Sequence, residues 1–137
     1  MALFVIERHT PLPAGEAWRR LTDWERHAAS VPLTRITVTA TGFVARTGLG
    51  RAGFDDPMEV VHWEPPEAGR AGRCRLEKRG SVVTGWAELE VAPAGGGSVV
   101  TWREELCLRG LPRLLDPLLA PAGRRVFGRA MRSVLAD

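Results

Sequence analysis

The chain is 137 residues long and 45% hydrophobic, which is enough for one domain with a real core, but it contains no apolar run of the ~20 residues that would span a membrane. Its net charge of +3 comes from basic residues interspersed with 16 acidic ones, so the composition does not favour a nucleic-acid-binding protein. The first nine residues lack the basic and apolar regions of an export signal, and we expect a single cytoplasmic domain over residues 1–137.

The first half of the chain predicts strands separated by prolines and short helices. Pro11 and Pro13 interrupt the first strand, and Glu16 lies where it complements the dipole of the helix that follows. Asp23 is placed to cap a second, shorter helix. The predicted elements are a strand over residues 2–9, a helix from residue 13 or 14 through 21, a helix over 24–29 that Pro32 ends, strands over 33–41, 42–50 and 58–64, and a turn over 53–57.

The second half predicts two successive hairpins and a long helix. Residues 72–109 alternate with period 2, which is typical of antiparallel strands with one face on the core. A two-residue turn at Gly80-Ser81 would pair Arg79 with Val82. A longer loop over residues 94–98 would pair Val91 with Val100, and Leu89 with Trp102. The apolar stripe over residues 111–135 predicts the helix, with prolines that interrupt its first half.

The inner face of these hairpins carries small residues where a packed sandwich would carry large ones. Cys74, Gly85 and Ala87 would leave room, which we interpret as a pocket for an apolar ligand. The residues expected to line it are Trp102, Glu104, Cys74, Leu76, Gly85, Ala87, Leu89 and Met58 on the sheet, and Leu115, Leu119, Phe127 and Met131 on the last helix.

Glu104 is the unusual residue of this face, a carboxylate that the predicted register places in one row with Cys74 and Ala87. A buried carboxylate must be paired, hydrogen-bonded or protonated. Glu104 is therefore the first candidate for a ligand anchor or a general acid or base, unless it lies at a wet cavity mouth or pairs with an arginine of the last helix. Lys78, near the hairpin end, is predicted to extend to water instead.

His62 is the second catalytic candidate, because it could point into the pocket from the fourth strand, whose alternation does not decide its face. The two cysteines, Cys74 and Cys107, form no CxxC pattern and fall on opposite faces of the predicted sheet. We therefore expect no disulfide, no metal site and no cofactor.

The order of elements and several local motifs resemble the START-like, or SRPBCC, superfamily, which includes Bet v 1-type and polyketide cyclase/dehydrase-like proteins. The resemblance covers essentially the whole chain. It is carried by the opening strand, PLPAGEAW at residues 11–18, LTDWERH at 21–27, Val31-Pro32, Asp56-Pro57-Met58, Pro65-Pro66 and the closing helix.

This resemblance implies an α+β helix-grip fold. In that fold a seven-stranded curved antiparallel sheet wraps around a long C-terminal helix, two short helices lie between strands 1 and 2, and an apolar cavity separates sheet and helix. The resemblance implies binding of lipids, polyketides or other hydrophobic small molecules, with catalysis in some members. It carries over no catalytic residue.

Three functions are open on the sequence alone. The favoured one is binding of a lipid- or polyketide-like hydrophobic small molecule, which needs only apolar walls and a few polar anchors. The second is an enzyme of the polyketide cyclase/aromatase type, which needs at least two convergent polar groups for proton transfer and water loss. The third is a regulatory or protein-interaction domain that uses the outer sheet or the helix.

Overall fold

An antiparallel sheet in the order β1-β7-β6-β5-β4-β3-β2 forms the body of the molecule, a computed structural model that describes residues 2–29, 31, 33–49 and 51–136. Within these residues the sheet has seven strands. The elements are β1 (Ala2–Thr10), α1 (Ala14–Leu21), α2 (Trp24–Ala28), β2 (Thr34–Val38), β3 (Gly42–Leu49), β4 (Ala52–Glu64), β5 (Gly72–Arg79), β6 (Val83–Ala94), β7 (Gly97–Leu108), a 3-10 turn (Arg113–Leu115) and α3 (Asp116–Leu135).

This architecture confirms the predicted helix-grip fold, with two short helices between β1 and β2 and a curved sheet around the last helix. The predicted helix end at Pro32 and strand end at Gly50 lie outside the described residues. No helix in the described part of the chain is long and apolar enough to cross a membrane.

The core is most closely packed where α1 and the C-terminal part of α3 lie on the sheet. There Ala17, Trp18 and Leu21 of α1 are buried against the sheet, and so are Met131 and Val134 from the C-terminal part of α3. Alternation along β5, β6 and β7 supplies the other side of this core, because every second side chain points inward. This region is therefore well packed, and any open space must lie toward the N-terminal half of α3.

The fourth strand is longer than the sequence indicated. We expected a turn over residues 53–57, but β3 and β4 pair continuously from Leu49 opposite Ala52 to Gly42 opposite Glu59. Pro57 lies within the strand, opposite Val44. Pairing of β4 with β5 begins only at Met58 in the described residues, so the missing N–H of Pro57 costs that ladder no hydrogen bond. The predicted turn is wrong, and Asp56 instead belongs to a strand.

The hairpin registers were predicted with mixed success. Val91 pairs with Val100, and Leu89 with Trp102, as expected. The first hairpin has a longer loop than Gly80-Ser81 suggested, since Arg79 pairs with Thr84 rather than with Val82. The row that contains Ala87 and Glu104 therefore holds Leu76 instead of Cys74.

This two-residue shift leaves each side chain on its predicted face but moves Lys78 closer to Glu104 along the sheet. The cysteines lie on opposite faces as predicted, with Cys74 buried and Cys107 exposed.

Candidate functional site

A cavity of about 340 Å³ lies between the concave face of the sheet and the N-terminal half of α3. Its walls come mainly from β2, β3, β4, β7 and α3, with Lys78 of β5, Val83 of β6, α2 and Val31 completing them. It exists because α3 packs closely only along its C-terminal part, where Met131 and Val134 are buried, whereas Leu118 in the first half is 61% exposed. The helix reaches the sheet at Gly123, where an added Cβ would lie 2.5 Å from the ring of Phe4.

Aromatic side chains form much of the cavity wall. Trp102 stacks on Phe127 with ring centroids 5.9 Å apart, and Trp24 lies 4.9 Å from Phe43. His27 from α2 completes this side, with its ring centroid 5.5 Å from that of Trp102. Such a wall presents a large apolar surface to a ligand at a small cost in side-chain entropy, because the rings are already held by one another.

His27 is held in a neutral state by its surroundings. Its Nε2 lies 2.7 Å from the carbonyl oxygen of Leu21, and because a carbonyl can only accept, Nε2 carries the proton. Burial lowers the pKa of His27 below its ordinary value. This histidine therefore contributes an uncharged ring to the wall.

Three ionisable side chains meet at the polar end of the cavity, and we call them the buried ion cluster: Lys78, Asp56 and Glu104. The ammonium of Lys78 lies 2.8 Å from Asp56 Oδ2 and 3.7 Å from Glu104 Oε2. The side chains of Lys78 and Glu104 are only 3% and 2% exposed. The cluster is thus shielded from bulk water, which strengthens its internal electrostatics.

Hydrogen bonding within the cluster is incomplete. Trp102 Nε1 donates to Glu104 Oε1 at 3.2 Å, and Lys78 donates to Asp56 Oδ2. The second oxygen of each carboxylate, Glu104 Oε2 and Asp56 Oδ1, is buried without a hydrogen-bond partner among the described residues. Two residues that line the cavity therefore contain acceptor atoms for which the described residues supply no hydrogen.

The cluster has more acidic groups than basic ones. Burial by itself would lower the pKa of Lys78, but the charges of Glu104 and Asp56 outweigh it and raise that pKa, so Lys78 is an ammonium. Burial raises the pKa of Glu104, and the charge of Lys78 offsets this only in part.

The structure brings five of the predicted ligand-binding residues to the cavity wall. They are Met58, Trp102, Glu104, Leu119 and Phe127.

Five others lie in the packed core and do not appear on the cavity wall: Cys74, Leu76, Ala87, Leu89 and Met131. They are covered because α1 and the end of α3 fill that part of the sheet. Leu115 precedes α3, is partly exposed, and does not line the cavity either.

Gly85 has a different role from the one its size suggested. Its φ is +128°, and an added Cβ would lie 1.9 Å from the carbonyl oxygen of Glu105. The glycine is required by the backbone of β6 and does not line the cavity.

His62 lies on the outer surface. Its side chain is 49% exposed, and Nε2 lies 3.4 Å from Glu64. The register of β4 against β5 shifts between Val60 and His62, which explains why simple alternation did not decide its face.

Sequence reasoning missed two members of the buried ion cluster. Lys78 was expected to reach water, although its alternation with Cys74 and Leu76 already placed it on the inner face, and it is the only lysine of the chain. Asp56 was hidden because Asp-Asp-Pro is a common turn sequence. The wall residues of β2 and β3, such as Thr34 and Thr47, were missed because the cavity lies mainly beside those strands, whereas β5 and β6 contribute only Lys78 and Val83 among the described residues.

Several solved structures share this fold. A START superfamily protein from Mycobacterium smegmatis has a TM-score of 0.72 and 9% identity, over 98% of this chain and 97% of that one. Ara h 8.0201 has a TM-score of 0.63 and 13% identity, over 98% of both chains. DynU16, from the dynemicin biosynthetic locus, has a TM-score of 0.62 and 20% identity, over 99% of this chain and 48% of that one. At these identities the likeness shows the fold alone.

No protein of curated function matches the sequence. The family described as polyketide cyclase/dehydrase and lipid transport matches residues 1–137. The match extends over every element described above, from β1 to α3. The chain therefore belongs to the polyketide cyclase/dehydrase and lipid transport family, whose fold is of the SRPBCC kind.

Proposed function

We propose that the protein binds a lipid- or polyketide-like hydrophobic small molecule in the cavity between the sheet and α3. The observation that carries this proposal is a cavity of about 340 Å³ whose walls are mainly aromatic and aliphatic. Transfer of an apolar molecule into such a space removes its surface and that of the wall from water, which is the main driving force for binding. The family description, with lipid transport and polyketide cyclisation, supports the same ligand class.

Filling the cavity tests this function. Ala45 of β3 lines the cavity, whereas Ala40, just before the same strand, is exposed. We expect the neutral fluorescent probe N-phenyl-1-naphthylamine to bind the wild type and Ala40→Phe alike, and to bind Ala45→Phe about tenfold more weakly, a change of about 1.4 kcal/mol. Equal affinity for all three proteins would place the probe outside the cavity, and no binding at all would contradict the proposal.

Native mass spectrometry before and after mild organic extraction then identifies the natural ligand class. We expect the purified protein to carry a hydrophobic molecule that is lost on extraction. The mass of that molecule would separate a fatty acyl chain from a polycyclic polyketide.

A second function is supported by Glu104, which lines the cavity and whose pKa is raised by burial. A protonated Glu104 could give its proton to the hydroxyl group that leaves a bound β-hydroxy ketone, and the resulting carboxylate could take the proton from the adjacent carbon. Water would be eliminated and Glu104 would be restored, which is the chemistry of a cyclase/dehydrase.

Dehydration of 4-hydroxy-4-phenylbutan-2-one, followed by its ultraviolet absorbance, tests this second function. Turnover that is lost in Glu104→Gln, with binding of the substrate retained, is the expected result for an enzyme. A rate equal to the uncatalysed one in the wild type would leave binding alone as the function for this class of substrate.

A further inference from the structure

Two residues that line the cavity, Asp56 and Glu104, each have one buried oxygen atom without a hydrogen bond. Glu104 Oε2 and Asp56 Oδ1 are each shielded from solvent and have no partner among the described residues. A buried acceptor without a partner costs about 1–3 kcal/mol, and more when it is charged. Folded proteins therefore seldom retain such atoms unless something outside the chain satisfies them.

The neighbouring donors of the chain cannot satisfy both atoms as they stand. The indole N–H of Trp102 is directed to Glu104 Oε1, the other oxygen of that carboxylate. The ammonium of Lys78 is 2.8 Å from Asp56 Oδ2, but 3.7 Å from Glu104 Oε2, which is too long for a hydrogen bond. Glu104 Oε2 thus receives charge stabilisation from Lys78 without receiving a hydrogen.

The charges lead to the same conclusion as the hydrogen bonds. Lys78 supplies one positive charge, while Asp56 and Glu104 can supply two negative ones. The cluster therefore has a surplus of acceptors and of negative charge, and a ligand that brought a carboxylate or phosphate here would be repelled. A ligand with an O–H or N–H group would supply the hydrogen bond that these buried oxygen atoms lack.

The surroundings of these oxygens define the rest of such a ligand. Trp102 donates to Glu104 and also stacks on Phe127, so the Glu104 carboxylate lies directly beside the aromatic wall. A molecule that reaches Glu104 Oε2 must therefore place an apolar, preferably flat, body against those rings.

We propose that the natural ligand is an apolar molecule that ends in a hydrogen-bond donor, a hydroxyl or an ammonium group, and that this donor binds Glu104 Oε2 at the buried ion cluster. This inference rests on the proposed function, because it assigns the ligand class of the same cavity. A ligand that ends in a carboxylate is disfavoured, because the carboxylates of the cluster would repel its charge.

Matched naphthalene probes test the inference by calorimetric titration. 2-Naphthol carries a donor, and 2-methoxynaphthalene is the same body with the donor removed. We expect the wild type to bind 2-naphthol at least about tenfold more tightly than 2-methoxynaphthalene, although the ether is the more apolar molecule. An ether that binds as tightly as the naphthol would overturn the inference.

Substitution of the acceptor gives the second readout. Glu104→Leu removes the carboxylate at similar volume and should abolish the preference, so that both probes bind with equal affinity. Glu105→Leu, on the other face of the same strand, is the matched control and should keep the preference for 2-naphthol. A preference that persists in Glu104→Leu contradicts the assignment to Glu104, and if that variant does not fold, the wild-type comparison of the two probes decides the question.

The two proposals fail in different ways. If neither probe binds any of the proteins, the proposed function fails; if both bind equally to the wild type, only the donor inference fails. Once the wild type is shown to prefer 2-naphthol to the ether, 2-(aminomethyl)naphthalene separates the two kinds of donor. Binding tighter than that of 2-naphthol assigns an ammonium group, and weaker binding assigns a hydroxyl.

Discussion

The ammonium of Lys78 lies 2.8 Å from Asp56 Oδ2, although the two residues are 22 positions apart in the chain. The contact arises because Met58 pairs with Lys78 in the register of β4 and β5, and Asp56 lies two residues before Met58 on the same face. The ion pair closes the polar end of the cavity and holds the lysine beside Glu104. A small change in the register of either strand would separate these three groups.

Removal of Lys78 should destabilise the protein far more than removal of Glu104. Lys78→Met leaves two carboxylates buried without a cation, and we expect the free energy of unfolding to fall by about 3 kcal/mol or more. Glu104→Gln removes surplus negative charge and should leave stability unchanged or raise it. Urea denaturation at pH 7 measures the free energy of unfolding of both variants.

Arg79→Met is the control for this comparison, because Arg79 is the next residue of the strand and pairs with Glu59 on the exposed face. Surface ion pairs contribute about 0–1 kcal/mol, so this variant should remain close to the wild type. Equal losses in Lys78→Met and Arg79→Met would show that the buried ion cluster does not have the charge balance described here.

Burial of His27 should make stability depend on pH. Its pKa is lowered in the folded state, so below about pH 6.5 the unfolded chain takes up a proton that the folded protein does not. The contribution of neutral His27 to the free energy of unfolding is therefore fully present above that pH. It is lost as the pH falls, with a slope of up to about 1.4 kcal/mol per pH unit.

His27→Gln should flatten the pH dependence of the free energy of unfolding just below about pH 6.5, where the unfolded chain takes up the imidazole proton. His9→Gln and His62→Gln provide the matched control substitutions, because both of these histidines are exposed. The same slope in His27→Gln as in the wild type would assign the pH dependence to other groups.

The two thiols should differ sharply in reactivity. Burial raises the pKa of Cys74 to about 12, whereas Cys107 is exposed. We expect 5,5′-dithiobis(2-nitrobenzoate) at pH 8 to label one thiol per native chain and both thiols after denaturation. Native Cys107→Ser should remain unlabelled, and rapid labelling of that variant would mean that Cys74 is accessible in solution.

Two glycines should respond in opposite directions to alanine. Gly85→Ala places a Cβ 1.9 Å from the carbonyl oxygen of Glu105 at a φ of +128°, and should lower the free energy of unfolding by about 1–3 kcal/mol. Gly15→Ala in α1 meets no atom within 4 Å and should raise it by about 0.5–1 kcal/mol. Thermal unfolding of the pair measures the contrast, and a neutral Gly85→Ala would contradict the backbone role of that residue.

Features that depend on neighbouring residues could be predicted well. The alternation in β5, β6 and β7 indicated the strands and their buried faces, and Asp23 accepts a hydrogen bond from the backbone N–H of Arg26 as the expected cap of α2. Glu104 was recognised as unusual because a carboxylate breaks an apolar inner face. These patterns involve residues that are close together in the chain, so the sequence alone shows them.

The location of the cavity could not be predicted in the same way. Small residues at Cys74 and Ala87 suggested open space, but α1 and the end of α3 cover them. The open space lies instead where the first half of α3 stands away from β2 and β3. The distance between a helix and a sheet depends on all the side chains between them, and no short segment of sequence specifies it.

The sequence by itself determined the order of elements, the faces of the strands and the fold class, because these follow from periodicity and from the residues that interrupt it. Only the tertiary structure decided which charges meet. A loop longer than expected after Arg79 and a strand that runs through Asp56 and Pro57 place a lysine and two carboxylates within one buried ion cluster. Register and long-range pairing are set by the whole sheet, and with them the chemistry that the cavity offers to a ligand.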